Sequence, residues 1–144
     1  MCSLKKIAIC SRSFSRNKIL RAEILSKYDN IIFNDKGLAL NGIGLIDFLH
    51  DATHVISALE TIDEEVLSQL PKLKVISKYG VGLDMIDMDS MRKYGVKLGW
   101  TGGTNRRSVS ELVVSLAISL LRHVPVAHAE ILSGVWRQHI GGQL

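Results

Sequence analysis

Two cysteines, Cys2 and Cys10, are all that this 144-residue chain holds, and they lack the spacing of a metal-ligand set. Cys10 closes a short apolar run and reads as a buried thiol. No secretory signal opens the chain, so a reducing, cytoplasmic compartment is expected. Eighteen basic residues face 14 acidic ones for a formal charge of +4, yet no five basic residues run together. A nucleic-acid partner is therefore not expected. The longest apolar stretch, Leu112 to Leu121, is broken by serines and is shorter than the ~20 residues of a bilayer span. A membrane partner is likewise not expected. Neither an internal repeat nor a low-complexity segment is found. What is there, 47% hydrophobic against 22% charged residues, describes a globular chain able to bury a core.

In chain order, Ile7-Ala8-Ile9-Cys10 reads as a first buried strand. Ser11 to Arg16 is hydroxyl-rich and basic, and it reads as a solvated connection, with anion binding as the alternative. It has neither the glycine of a flavin phosphate loop nor the acidic pair of a receiver domain. Ile19, Leu20, Glu23, Ile24 and Tyr28 recur at helical spacing. Ile31-Ile32-Phe33 follows as a strand, then a helix around Leu45 and Leu49 ending near His50. Val55 to Ala58 forms a third strand. Thr61-x-x-Glu64 reads as a capping box for a helix stopped by Pro71. Asp87 caps a further helix holding Met88, Met91 and Tyr94, with Gly95 just past its end, and Val96 to Leu98 is the fifth strand.

Between the third and fifth strands lies the stretch from Leu73 to Asp84. Val75 and Ile76 form a strand core that ends at Gly80-Val81-Gly82 and then opens a helix. Glycines there let a ligand approach the peptide N–H groups, and the carboxyl ends of strands are where open α/β sheets bind ligands. Lys78 stands just before the turn. The turn is not a dinucleotide loop, because Met85 occupies the position of the third glycine. Five alternations of strand and helix predict an α/β fold, a flavodoxin-like, doubly wound, parallel five-stranded sheet over residues 1–99.

Residues 100–144 do not fit that sheet. Ser108-x-x-Glu111 reads as a capping box for a helix reaching about His123, before Pro125. Val109, Leu112, Val113, Leu116, Ile118 and Leu121 cover most of its circumference, so the helix expects a partner to bury it. Val126 to Ser133 is a further short helix ended by Gly134.

Lys78-Tyr79-Gly80-Val81-Gly82-Leu83-Asp84, Ile86-Asp87 and Thr101 to Leu112 together resemble the D-isomer-specific 2-hydroxyacid dehydrogenase family, in its phosphoglycerate dehydrogenase-like branch. Gly134-Val135-Trp136 with Gly142-Gln143-Leu144 resembles the segment that precedes that family's cofactor fingerprint. The resemblance implies that residues 1–99 are a substrate domain. Residues 100–144 would be the hinge, crossover helix and dimerisation arm leading toward a Rossmann domain absent from this chain. It implies a substrate carboxylate held by the N–H groups of Gly80, Val81 and Gly82, with Val81 also near the nicotinamide of NAD or NADP. Lys78 would line the cleft and Asn105 would contact substrate at the hinge, or cap its helix. It further implies a homodimer through Ser108–Ser133.

No catalytic residue is expected in this chain, since the family's arginine, histidine and tuning carboxylate would lie beyond its end. His50, His54, His123, His128 and His139 match no family motif and read as surface or packing histidines. Phosphoglycerate-specific members carry an arginine at the end of the third strand, where this chain reads Ile56-Ser57-Ala58-Leu59. A smaller 2-oxo acid, glyoxylate or hydroxypyruvate, is then as well suited. The 144 residues alone are expected to be inactive. The competing reading is a stand-alone, non-enzymatic module that binds a carboxylate or a partner protein.

Overall fold

A computed structural model describes residues 5–143; Cys2 and Leu144 lie outside the described residues. Strands and helices alternate as expected through the first unit, as β1 (Ile7–Ile9), α1 (Arg12–Arg16), α2 (Lys18–Leu25), β2 (Ile31–Phe33), α3 (Gly42–Leu49), β3 (His54–Ser57), α4 (Glu64–Ser68), β4 (Val75–Lys78), α5 (Met88–Lys93) and β5 (Lys97–Gly99), apart from the added helix α1. Helices α6 (Arg106–Leu121) and α7 (Val124–Leu132) complete the chain. It divides into two compact units, one through Gly102 and one from Gly103.

All four strand pairings are parallel, and the order is β2-β1-β3-β4-β5. This is the flavodoxin-like, doubly wound arrangement read from the alternation. The period of two sends Ala8, Val55 and Ile76 to one face and Ile7, Ile9 and Ile56 to the other. On the first face Leu45, Leu49, Val66, Leu67 and Met91 from α3, α4 and α5 complete the main core. On the second, Phe14, Leu20 and Ile24 from α1 and α2 pack with Phe33. With both faces covered, the central strands can be apolar throughout. Near the amino ends of the strands, Asp51 accepts hydrogen bonds from Lys72 at 2.7 Å and Lys6 at 3.3 Å. Those bonds, Lys72's first, bring its carboxyl down to about 2.

Several local readings change. Ser11 to Arg16 is not a solvated loop. Ser11 caps α1 by accepting the Phe14 N–H at 3.2 Å, and Phe14 and Ser15 are buried. The hydroxyls that suggested a connection instead nucleate a turn of helix, and one aromatic anchors it. The Thr61 capping box is not formed either. Ile62 bridges to Ile86, and Asp63 becomes the cap, accepting the Val66 N–H at 3.0 Å. Ser108 lies inside α6, whose capping position is Asn105, while Glu111 pairs with Arg107 at 2.8 Å. The glycine turn after β4 does not lead straight into a helix, because the Ile86 bridge intervenes before α5. Helix α2 ends at Leu25, before Tyr28. Strands β3 and β5 are each displaced by one residue from their expected bounds.

Other readings stand. Asp87 caps α5 through the Asp89 and Ser90 N–H groups, and Gly95 follows at φ +67°, a conformation a side chain would resist. Cys10 is fully buried as a free thiol.

In the second unit, His123 at φ +53° joins α6 to α7, and Pro125 sits in the first turn of α7. Pro125 therefore starts a helix as well as following one. Glu130 of α7 binds His139 at 2.5 Å and Arg137 at 3.5 Å, and the His139 bond holds its carboxyl below the usual range. The apolar side chains of α6 are exposed, Leu112 by 58%, Val113 by 60% and Leu116 by 53%. Among the described residues no single helix is long and apolar enough to cross a membrane; α6 and α7 reach that composition only together, across a 62° bend.

Ile76 is fully buried at the centre of the sheet, its register partners being Val55 and Leu98. Ile76→Ala should cost about 2–5 kcal/mol in urea unfolding, whereas a loss within the scatter of surface substitutions would show that the core collapses onto the site.

Candidate functional site

The site begins where the β-ladder stops. Tyr79 donates its N–H to the Ser57 carbonyl at 2.7 Å, the last rung between β3 and β4. The next three N–H groups, those of Gly80, Val81 and Gly82, donate to no protein acceptor among the described residues. Gly80 and Gly82 are exposed and Val81 is half-buried. Adjacent unclaimed N–H groups at a strand end can receive an anion such as a carboxylate.

The backbone explains why glycine is needed here. Gly80 has φ +140°, which side-chain-bearing residues rarely adopt, and a Cβ on Gly82 would stand 3.2 Å from the Asp84 carboxylate. The turn is also held from outside. Trp100 donates its indole Nε1–H to the Val81 carbonyl at 3.1 Å. The ring of Tyr79 meets that of Phe14 edge-on, with centroids 5.4 Å apart. Lys78 is not a free surface lysine, since its Nζ donates to the Ala58 carbonyl at the end of β3.

The structure thus gathers Lys78, Gly80, Val81 and Gly82 on one turn at the carboxyl edge of the sheet. Asn105 belongs to the second unit, where it stands at the capping position of α6, exposed and without a side-chain capping bond. Its amide is uncommitted, so the capping role suggested by sequence is not taken up. Trp100 opens residues 100–144, which the sequence sets outside the sheet. Its contact with Val81 depends on β5 lying beside β4, and no sequence signal marks it.

The histidines of the first unit lie elsewhere. His54 opens β3, at the amino edge of the sheet, and bonds Thr53 Oγ1 at 2.9 Å. Burial first, then Lys5 and Lys74, lower its pKa. His50 rests 2.9 Å from Asp51 at the same edge. Neither is placed to exchange a proton with a group held at Gly80–Gly82. In the second unit, His139 is engaged by Glu130.

A parallel sheet in this order, with an open N–H turn at the carboxyl end of a strand, defines a flavodoxin-like α/β domain. The chain belongs to the D-isomer specific 2-hydroxyacid dehydrogenase family, whose catalytic-domain model matches residues 7–136. It is 32% identical over 126 residues to D-3-phosphoglycerate dehydrogenase of Escherichia coli K12, covering 87% of this chain and 30% of that protein. It is 30% identical over 103 residues to glyoxylate reductase of Thermococcus litoralis, covering 72% of this chain and 30% of that one. The crystal structure of D-lactate dehydrogenase from Aquifex aeolicus, complexed with NAD and lactic acid, superposes with a TM-score of 0.77. It covers 96% of this chain and 41% of that one at 18% identity, a likeness of fold. The chain therefore spans under a third of the length of these two curated relatives.

Trp100→Phe keeps an aromatic ring and removes one neutral hydrogen bond. It should cost about 0.5–1.5 kcal/mol and lower the amide order parameters of Gly80–Gly82 in NMR relaxation. Unchanged order parameters would mean that Val81 is held by other contacts.

Proposed function

We propose that this chain is the substrate-binding portion of an NAD-dependent oxidoreductase acting on the CH–OH group of a small D-2-hydroxy acid. The observation that carries this reading is the run of three unclaimed N–H groups at Gly80, Val81 and Gly82. In this reading they hold the acid's carboxylate, Val81 lies beside the nicotinamide, Lys78 lines the cleft and the uncommitted amide of Asn105 meets the substrate. A carboxylate taking two or three backbone N–H bonds is fixed in position and orientation, which leaves C2 presented for hydride exchange.

The same residues do not fit the dinucleotide itself. Met85 stands where a pyrophosphate loop needs its third glycine. NAD, when bound, supplies or accepts the hydride; the residues described here hold the acid and exclude water from one side of it. The complex of the Aquifex relative with NAD and lactic acid supports NAD as the dinucleotide. The stretch Ile56-Ser57-Ala58-Leu59 at the end of β3, which holds no arginine, together with the glyoxylate reductase relative, supports a short 2-oxo acid such as glyoxylate or hydroxypyruvate. A cytoplasmic setting is part of the same reading, in keeping with the free thiol of Cys10.

Glyoxylate titrated into the chain should shift the amide signals of Gly80, Val81 and Gly82, and Gly80→Ala should abolish those shifts. The chain alone should not oxidise NADH with glyoxylate or hydroxypyruvate. Shifts confined to other residues, or turnover by the chain alone, would sink the assignment.

The exposed apolar surface of α6 and α7 supports a homodimer paired through Ser108–Ser133, since a face of this size in water is costly to leave uncovered. Sedimentation velocity at micromolar concentration should give a dimer, and Leu112→Glu with Leu116→Glu should give a monomer. A monomeric parent chain would count against it.

A further inference from the structure

One hydrogen bond reaches the Gly80–Gly82 turn from the rest of the chain. Among the described residues its N–H groups and the carbonyls of Gly80 and Gly82 meet no protein partner, while the Val81 carbonyl accepts the Trp100 Nε1–H at 3.1 Å. That bond acts on the far side of the same peptide. The Val81 carbonyl and the Gly82 N–H belong to one planar unit, and in a trans peptide they point in opposite directions. No peptide among the described residues is cis. Anchoring the carbonyl on the indole therefore fixes the direction of the Gly82 N–H. It also polarises the peptide, which strengthens that N–H as a donor.

The indole has a seat of its own. Trp100 directly follows β5, and a Cβ on Gly102 would stand 2.8 Å from its Cη2 and 3.0 Å from its Cζ2. Cζ2 is bonded to the ring carbon that carries Nε1. A methyl group at Gly102 would thus push on the edge of the ring that makes the bond to Val81. Gly102 has a negative φ, so glycine is not required there for backbone freedom. What the ring uses is the missing side chain. Nothing else described holds the ring in place: it is 45% exposed, belongs to neither apolar core and stacks on no other aromatic. Gly102 is also the last residue of the first unit, and Gly103 after it takes φ +69°.

We propose that Trp100 and Gly102 are positioning residues for the carboxylate turn: Gly102 sets where the indole sits, and the indole aims the Gly82 N–H. This role rests on the 2-hydroxy acid reading of the turn. The course of the chain where the first unit ends is thereby felt at the substrate carboxylate. The coupling is reciprocal, since a carboxylate that fixes the Gly82 N–H also favours the seated indole.

The test is a glyoxylate titration, read from the amide signals of Gly80–Gly82, in the parent chain, Gly102→Ala, Trp100→Phe and the double variant. Gly102→Ala should weaken binding about fivefold, the net contribution of one neutral hydrogen bond, with the Gly82 shift reduced most. Trp100→Phe should weaken it by a similar factor. The double variant should bind as Trp100→Phe does, because Gly102 acts through the bond that this change removes. Gly44→Ala, whose Cβ meets nothing within 4 Å, should bind as the parent does. A measurement without ligand separates the positioning role from the reading it rests on. In Gly102→Ala the Trp100 indole N–H should exchange faster with solvent, and the Gly82 amide order parameter should fall. If glyoxylate shifts no signal in the parent chain, the carboxylate reading fails and these two signals decide the role of Trp100 and Gly102. Unchanged indole exchange and Gly82 order in Gly102→Ala would overturn the proposal, as would losses that add in the double variant.

Discussion

Everything in the first unit depends on one row of side chains across the sheet. Ala8, Val55 and Ile76 are in register on neighbouring parallel strands, and all three are essentially without solvent exposure. A parallel ladder cannot be joined by tight turns, so each strand must be followed by a crossover that returns the chain to the same edge. That requirement produces the helices, places them on both faces and gathers every strand's carboxyl end on one side of the sheet. The loops free to do chemistry are thereby concentrated at that edge, and the Lys6–Asp51–Lys72 ion cluster is left at the other.

The carboxyl edge carries two different openings, and the difference is instructive. After β4 the ladder ends because glycine backbone at Gly80 turns away, which leaves N–H groups without acceptors. Between β1 and β3 the opening is topological, made by loops that part to opposite faces. The first exposes backbone N–H groups, and the second is lined by side chains, Arg12 and Arg16 of α1 among them. Trp100 and Lys78 tie the first to β5 and β3, so the turn is held by both strands that flank β4.

The second unit obeys a different constraint. Helix α6 has a polar stripe at Ser108, Glu111, Ser115 and Ser119, but apolar residues take the rest of its circumference and leave Leu112, Val113 and Leu116 exposed. Within the unit, the Glu130 contacts with Arg137 and His139 and the Gly142 N–H bond to the Leu121 carbonyl fold the last segment back on the helices. Gly141 is necessary to that return, as a Cβ there would lie 2.5 Å from the Leu121 carbonyl. These bonds hold the arm but do not cover the apolar surface.

How much of this was legible in advance follows from the range of the interactions involved. Strand and helix alternation, the Asp87 cap, the Gly95 stop and the Gly80–Gly82 turn were all readable, because period, capping and positive φ are decided within a few residues. The Thr61 and Ser108 capping boxes were misread for the complementary reason. Each is a valid local pattern, but the Ile62–Ile86 bridge and the earlier start of α6 claimed those residues first. Ser11 to Arg16 turned from loop to helix because Phe14 found a core built by residues far away in the chain. By itself, then, the sequence determined the α/β class, the alternation of strands with helices and the glycine turn after β4, since these rest on local periodicity and backbone freedom. Only the tertiary structure decided that Trp100 braces Val81, that Lys78 reaches β3, and that Arg12 and Arg16 border a cavity. Those contacts join residues distant in the chain, and nothing short of the folded sheet brings them together.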